Sequence, residues 1–113
     1  MARGDVLLVS FPMPANTREQ QGFRPAVEVQ SNQTAPSLPT TMVVPFTTTL
    51  SASRFAHTHT VKPTPANGLA MTSVLMVFQL RAIDKDRIER KIGVIDPADL
   101  AIIESEMRSL LEI

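Results

Sequence analysis

Gly22-Phe23-Arg24-Pro25-Ala26-Val27-Glu28-Val29-Gln30, taken with Met42-Val43-Val44-Pro45-Phe46-Thr47, sets the architecture of this chain. Each is a short apolar run, rich in valine, with a conspicuous polar residue at one end, the composition of a half-buried strand. Alternation along the first run puts Arg24, Ala26, Glu28 and Gln30 on one face and turns Val27 and Val29 towards a core. Pro25 disfavours helical backbone at the residue before it, so Arg24 stands at a strand entrance. Thr47 closes the second run. The sheet is therefore expected to hold a guanidinium and a hydroxyl at strand ends, which raises the question of what they touch.

Outward from this pair, Val6 to Phe11 reads as a first buried strand between Gly4-Asp5 and Pro12-Met13-Pro14. The polar loop Pro12 to Gly22 is long for a strand connection, and loops of that length are often functional. The second strand is expected from Arg24 to about Gln30, a turn or loop over 31–39, and the third strand over Thr40 to Phe46. Pro45 cannot donate to a ladder, so this strand is at an edge there or leaving the sheet. A further short strand is expected over Thr58 to Val61. Asn67-Gly68 signals a left-handed turn, with one or two strands over Leu69 to Leu80, bent near Met76. Asp84 is expected to cap a short amphipathic helix, Lys85 to Lys91, with Gly93 past its end and a short strand at Val94-Ile95. Asp96-Pro97-Ala98-Asp99 is a helix start, with an Asp N-cap, Pro at the first helical position and an acid to complement the dipole. The stripe Leu100, Ile103, Met107 and Leu110 or Leu111 gives that last helix its apolar face.

The chain has 113 residues, the size of one domain. Eleven basic and eleven acidic side chains cancel, so net charge gives no argument for a nucleic-acid partner. The distribution is uneven: residues 1–93 carry ten Lys or Arg against six Asp or Glu, and residues 94–113 carry one against five. Absence of cysteine rules out disulfides and thiolate metal sites and fits a reducing cytoplasm. The apolar run after Asp5 is too short for a signal-peptide core or a membrane span, so a cytoplasmic protein without a membrane segment is expected.

Four motifs occur in order: Arg3-Gly4-Asp5-Val6, Gly22 to Val27, Val43 to Thr47, and Gln79-Leu80-Arg81-Ala82-Ile83-Asp84-Lys85. Together they resemble the MazF/PemK toxins of bacterial type II toxin-antitoxin pairs over nearly the whole chain. The resemblance implies a mainly β (α+β) fold, a small SH3-like barrel of twisted antiparallel strands with a short helix and a C-terminal helix, as one toxin domain over residues 1–113. It implies a homodimer and a sequence-specific endoribonuclease that needs no metal or other cofactor. Single-stranded RNA (mRNA) is the implied substrate, cut by its own 2′-hydroxyl to leave a cyclic phosphate and a 5′-hydroxyl. The implied protein partner is an antitoxin with an acidic, partly disordered segment. By position, Arg24 matches the family's active-site arginine and Thr47 its active-site threonine.

In-line attack at phosphorus gathers negative charge on the phosphate oxygens, and a guanidinium offers them two parallel charge-assisted hydrogen bonds. Arg24 suits that role as an electrostatic clamp, because arginine is effectively never deprotonated. The Thr47 hydroxyl can orient the phosphate or the attacking group. A base is harder to find: the Kid-like branch of the family carries an acid immediately before the residue matching Gln79, and here Phe78 stands there. Glu28, on the expected face of Arg24, is the candidate base, against its simpler reading as a cross-face ion pair. Arg18, Phe23, Thr48, Arg54, His57, His59, Lys62 and Gln79 are the expected RNA-binding residues. Taken alone, the arginines and Lys62 read as solvated loop charges, the threonines as turn chemistry, and the histidine pair as an incomplete metal set. Two alternatives stay open: a related barrel that inhibits DNA gyrase by binding protein, and a catalytically inactive homologue that binds antitoxin.

Overall fold

The computed structural model describes residues 1–11 and 23–113. Seven strands follow in order: β1 Asp5–Ser10, β2 Phe23–Glu28, β3 Thr40–Thr47, β4 Thr58–Val61, β5 Ser73–Met76, β6 Arg81–Asp84 and β7 Ile88–Val94. One α-helix, α1 Pro97–Leu111, ends the chain, and short 3-10 turns lie at Leu50–Arg54, Val77–Gln79 and Lys85–Arg87, among others. Every described pairing is antiparallel, and the hydrogen-bonded order is β4-β5-β3-β2-β1-β7, with β6 on β3. The ladder is open, with β4 and β7 at its ends, where the resemblance implied a barrel. What brings the sheet round is the chain itself, because β6 on β3 runs through the turn Lys85–Arg87 into β7 on β1.

The first three strands are buried on both faces. Val6, Val27, Val44, Phe46, Leu75 and Ile103 belong to one apolar cluster, which α1 covers; Leu7, Val9, Phe11, Ala26, Val43 and Ile83 form a second on the opposite face. This explains the unbroken apolar run of β1, since a strand covered on both sides has no polar alternate positions. It also corrects the half-buried reading of β2: Ala26, on the face of Arg24, is as fully buried as Val27.

Pro45 sits where β3 changes partner. On that edge β3 pairs β6 through Val43 and β5 from Phe46 onward. The Val29 N–H donates to the Met42 carbonyl, so Met42, Val44 and Phe46 address β2 while Val43 and Pro45 address the other edge. The missing donor of Pro45 therefore faces the gap between β6 and β5, and no ladder bond is lost.

The expected helix Lys85–Lys91 is instead one 3-10 turn followed by β7. Asp84 does cap it, accepting from the Asp86 N–H at 2.9 Å. One inward residue, Ile88, is too little apolar surface to hold a helix, whereas Ile88 to Val94 can satisfy the open edge of β1. Two register shifts in that pairing let Ile88 reach the second cluster and Ile92 the first. The expected strand at Val94-Ile95 is the end of β7. Helix α1 starts as the sequence implies, with Asp96 accepting from the Ala98 N–H at 2.8 Å and Pro97 in the first turn. Ile103 is buried at its centre; Leu110 packs on the core and Leu111 is exposed.

Gly68 takes the left-handed conformation, φ 71°, that Asn67-Gly68 implies. Its reason is contact as well as turning: a Cβ there would lie 2.1 Å from the Ile92 carbonyl oxygen, and one on Gly93 would lie 2.4 Å from the Asn67 carbonyl carbon. The buried Asn67 side chain accepts from the Thr64 and Leu69 N–H groups and donates to the Lys62 carbonyl, which ties the loop together.

Candidate active site

Arg24 lies opposite Val9 on the face of the second apolar cluster, and Pro45 lies opposite Ala26 on that same face. Alternation then puts Thr47, two residues beyond Pro45, on this face also. The two side chains meet in a pocket of about 330 Å³ at the strand ends. Phe23 and Pro25 line it beside Arg24, and Thr48, Thr49 and Ser73 line it beside Thr47. Both central residues are half-buried, and both stand on strands clamped by a core, so their separation is set by the sheet.

The hydroxyl of Thr47 is already oriented. The Thr49 N–H donates to Thr47 Oγ1 at 3.2 Å, which occupies one lone pair and leaves the O–H available as a donor. Ser73 enters because Val74 pairs with Thr47, and its own hydroxyl donates to the Met71 carbonyl at 2.9 Å. The sequence names neither Thr49 nor Ser73 as a site residue, and it gives Pro25 only a backbone role beside Arg24. The threonine run held a signal for Thr49, whereas Ser73 depends on a register between distant strands.

Among the described residues that line this pocket, Arg24 alone carries an ionisable side chain. Glu28 shares the face of Arg24, as alternation implies, but stands four residues along the strand, about 13 Å away at 3.3 Å per residue. It is 1% exposed, accepts a hydrogen bond from the Thr41 hydroxyl, and has no partner for Oε2 among the described residues. Burial pushes its carboxyl above the ordinary value, outweighing the Thr41 hydrogen bond that lowers it. A group so placed can take up a proton readily but has no path to a phosphate held at Arg24.

The other expected site residues divide. Phe23 and Thr48 are exposed at the pocket, and Arg54 is exposed at the end of the 3-10 turn that begins next to Thr49. His59 and His57 turn away towards α1: His59 Nε2 lies 2.7 Å from Asp99 Oδ1, and His57 Nδ1 lies 3.4 Å from Glu106 Oε2. His59 ties β4 to the helix by a hydrogen bond, and His57, just before β4, approaches it without one among the described residues. Lys62, just after β4, and Gln79, at the end of a 3-10 turn, are exposed and outside the pocket lining. Arg18 lies outside the described residues. Among the described residues, no three histidine or acidic side chains come together as a metal site, and no helix is long and apolar enough to cross a membrane.

The pocket thus brings Arg24 and Thr47 together at the strand ends. The model of the PemK-like, MazF-like toxins of type II toxin-antitoxin systems matches residues 2–111. The chain belongs to that family. An endoribonuclease MazF of Staphylococcus saprophyticus is 32% identical over 92 residues, which is 81% of this chain and 75% of the relative. One from Staphylococcus epidermidis is 27% identical over 105 residues, 93% of this chain and 86% of the relative. A mycobacterial endoribonuclease solved with its cognate antitoxin superposes with a TM-score of 0.79 at 18% identity, covering 100% of this chain and 96% of that one. MazF of Deinococcus radiodurans gives 0.77 at 21% identity, covering 100% and 97%. At these identities the structures establish that the MazF/PemK fold is shared, including the mainly antiparallel sheet and the C-terminal helix.

Proposed function

We propose that this MazF/PemK family member is the toxin of a type II toxin-antitoxin pair and cleaves single-stranded RNA at the Arg24 and Thr47 pocket. The observation that carries the reading is the convergence of these two side chains, from non-adjacent stretches of chain, in one pocket on a rigid sheet. The curated relatives are named as endoribonucleases, which supports the same chemistry. In the reaction the ribose 2′-oxygen bonds to phosphorus, the bond from phosphorus to the 5′-oxygen breaks, the 2′-proton is released, and the departing 5′-oxygen takes up a proton. A 2′,3′-cyclic phosphate and a 5′-hydroxyl result.

Arg24 holds the two non-bridging oxygens as their charge grows, and the Thr47 O–H, whose oxygen accepts from the Thr49 amide, donates to one of them. These groups stabilise charge. None of the described lining residues is a base, so the 2′-proton passes to a group outside that set or to water. Phe23, Thr48 and Arg54 extend the contact along the strand. His57, His59, Lys62 and Gln79 carry no RNA contact in this reading, and neither does Glu28. A homodimer, an antitoxin as protein partner and a cytoplasmic location complete the proposal.

The test is Arg24→Ala. Cleavage of a long single-stranded RNA should be lost, with thermal unfolding close to that of the parent, and the parent's products should carry 5′-hydroxyl ends. Undiminished cutting by the variant would refute the assignment. Since no described lining residue is a base, a second reading has the protein bind RNA and antitoxin without cutting; intact RNA retained by the parent is its signature.

A further inference from the structure

We propose that Arg54, Phe55 and Phe78 form a second RNA subsite, a shelf on which a nucleobase stacks a few nucleotides from the phosphate held at Arg24. The proposal rests on the RNA-cleaving reading and adds a place where the strand is gripped away from the reacting bond.

The shelf is built and held. The Phe55 and Phe78 rings meet edge to face, with centroids 5.5 Å apart and planes at 62°, and the Arg54 guanidinium lies 5.0 Å from the Phe55 centroid. Phe55 is 48% exposed. Its backbone is pinned on both sides: the Phe55 N–H donates to the Ala52 carbonyl, the Thr58 hydroxyl donates to the Phe55 carbonyl at 2.9 Å, and the Phe78 N–H donates to the His57 carbonyl. An exposed aromatic ring fixed in this way loses little freedom when a base stacks on it.

Position and charge say what it binds. The 3-10 turn Leu50–Arg54 begins directly after Thr49 of the pocket and ends at the shelf. Its five residues rise about 10 Å at 2.0 Å each, roughly three stacked nucleotides at 3.4 Å. Residues 29–83 contain no Asp or Glu, so the segment that joins the pocket to Arg54 brings no carboxylate of its own, and Glu106 of α1 lies 3.4 Å from Nδ1 of the shelf's neighbour His57. An arginine on a phenylalanine, next to a phosphate pocket, suits a single strand whose bases stack while its backbone meets cations.

The probe is a single strand of about ten nucleotides with 2′-fluoro riboses, which cannot attack their own phosphates and so report binding alone. Phe55→Leu keeps an apolar side chain against Phe78 but removes the π face, and Phe55→Tyr keeps it. The leucine variant should bind roughly 5- to 150-fold more weakly, the tyrosine variant should bind like the parent, and both should unfold near the parent temperature. The parent's preference for this strand over a dinucleotide should shrink by the same factor in the leucine variant. Unchanged affinity in Phe55→Leu overturns the shelf, as does a change in sedimentation without a change in affinity, which would mark the face as a contact between copies of the chain. A parent protein that neither binds this strand nor cuts the unmodified RNA removes the cleavage reading as well; one that cuts, with the leucine variant binding normally, removes the shelf alone.

Discussion

At Glu28 the fold keeps a carboxyl group where water cannot reach it. One oxygen has the Thr41 hydroxyl and the other has nothing, and burial raises the folded-state pKa above the ordinary 4.5. The sign of the linkage follows. Below the unfolded-state pKa the group is protonated in both states and costs no charge burial; as pH rises towards the raised folded pKa, the unfolded chain releases its proton first and stability falls. Glu28→Gln keeps an acceptor for Thr41 and removes the titration. The variant should therefore gain thermal stability over the parent at pH 7 to 8, with a smaller gain near pH 4, in unfolding curves recorded across that range. A variant less stable at every pH would show that the ionised carboxylate contributes to the fold. Thr47 illustrates the opposite case, a polar group whose partner, the Thr49 amide, fixes its direction and leaves its proton available. Thr47→Ser should retain much of the RNA cleavage and Thr47→Val should lose most of it, about 10²-fold or more if the hydroxyl stabilises developing charge; initial rates on one RNA decide between them.

At the scale of elements, the contact between the Asn67-Gly68 loop and β7 fixes how the last strand meets the rest. A methyl group on Gly93 would run into the Asn67 and Ala66 backbone, which side-chain motion cannot relieve. Gly93→Ala should cost roughly 1–3 kcal/mol, lowering the unfolding temperature by on the order of 5–15 °C. The β7 edge would be the first place to lose amide protection, as hydrogen exchange can show. Helix α1 is fastened differently, through Ile103 in the core, Arg3 on Glu104 at 2.7 Å, and His59 of β4 on Asp99 at 2.7 Å, with His57 just before β4 turned towards Glu106. Both histidine rings turn towards α1 there. Helix α1 was legible in advance because its signals are local: an Asp cap, a proline and an apolar stripe. The segment after Asp84 was not, because a capped turn and a stretch with one inward isoleucine suit a helix equally until the open edge of β1 is known.

At the scale of the whole molecule, the described residues that line the pocket include no carboxylate. Residues 94–113 carry five acids and one arginine, and in α1 three of these acids face Arg3, His57 and His59. Residues 29–83 carry none, and they supply Thr47, the turn to Arg54, and Ser73. RNA binding should thus weaken steeply with salt, and Arg24→Gln and Arg54→Gln should each lower the slope of log affinity against log salt by about 0.7, the share of one contacted phosphate on a single strand. Titrations at several salt concentrations measure this; a slope unchanged by Arg54→Gln would confine the phosphate contacts to the pocket.

The sequence by itself determined the strands from Asp5 to Thr47 and the final helix, because each rests on local alternation, proline geometry or capping; it proposed Arg24 and Thr47 for catalysis through the resemblance of motifs kept in order along the chain. Tertiary structure alone decided that β2 is buried on both faces, that Glu28 is sealed away from Arg24, that the histidines turn towards the helix, and that Ser73 and Thr49 complete the pocket. These depend on which strand pairs with which and in what register, and a register joins residues too far apart in the chain for local pattern to report.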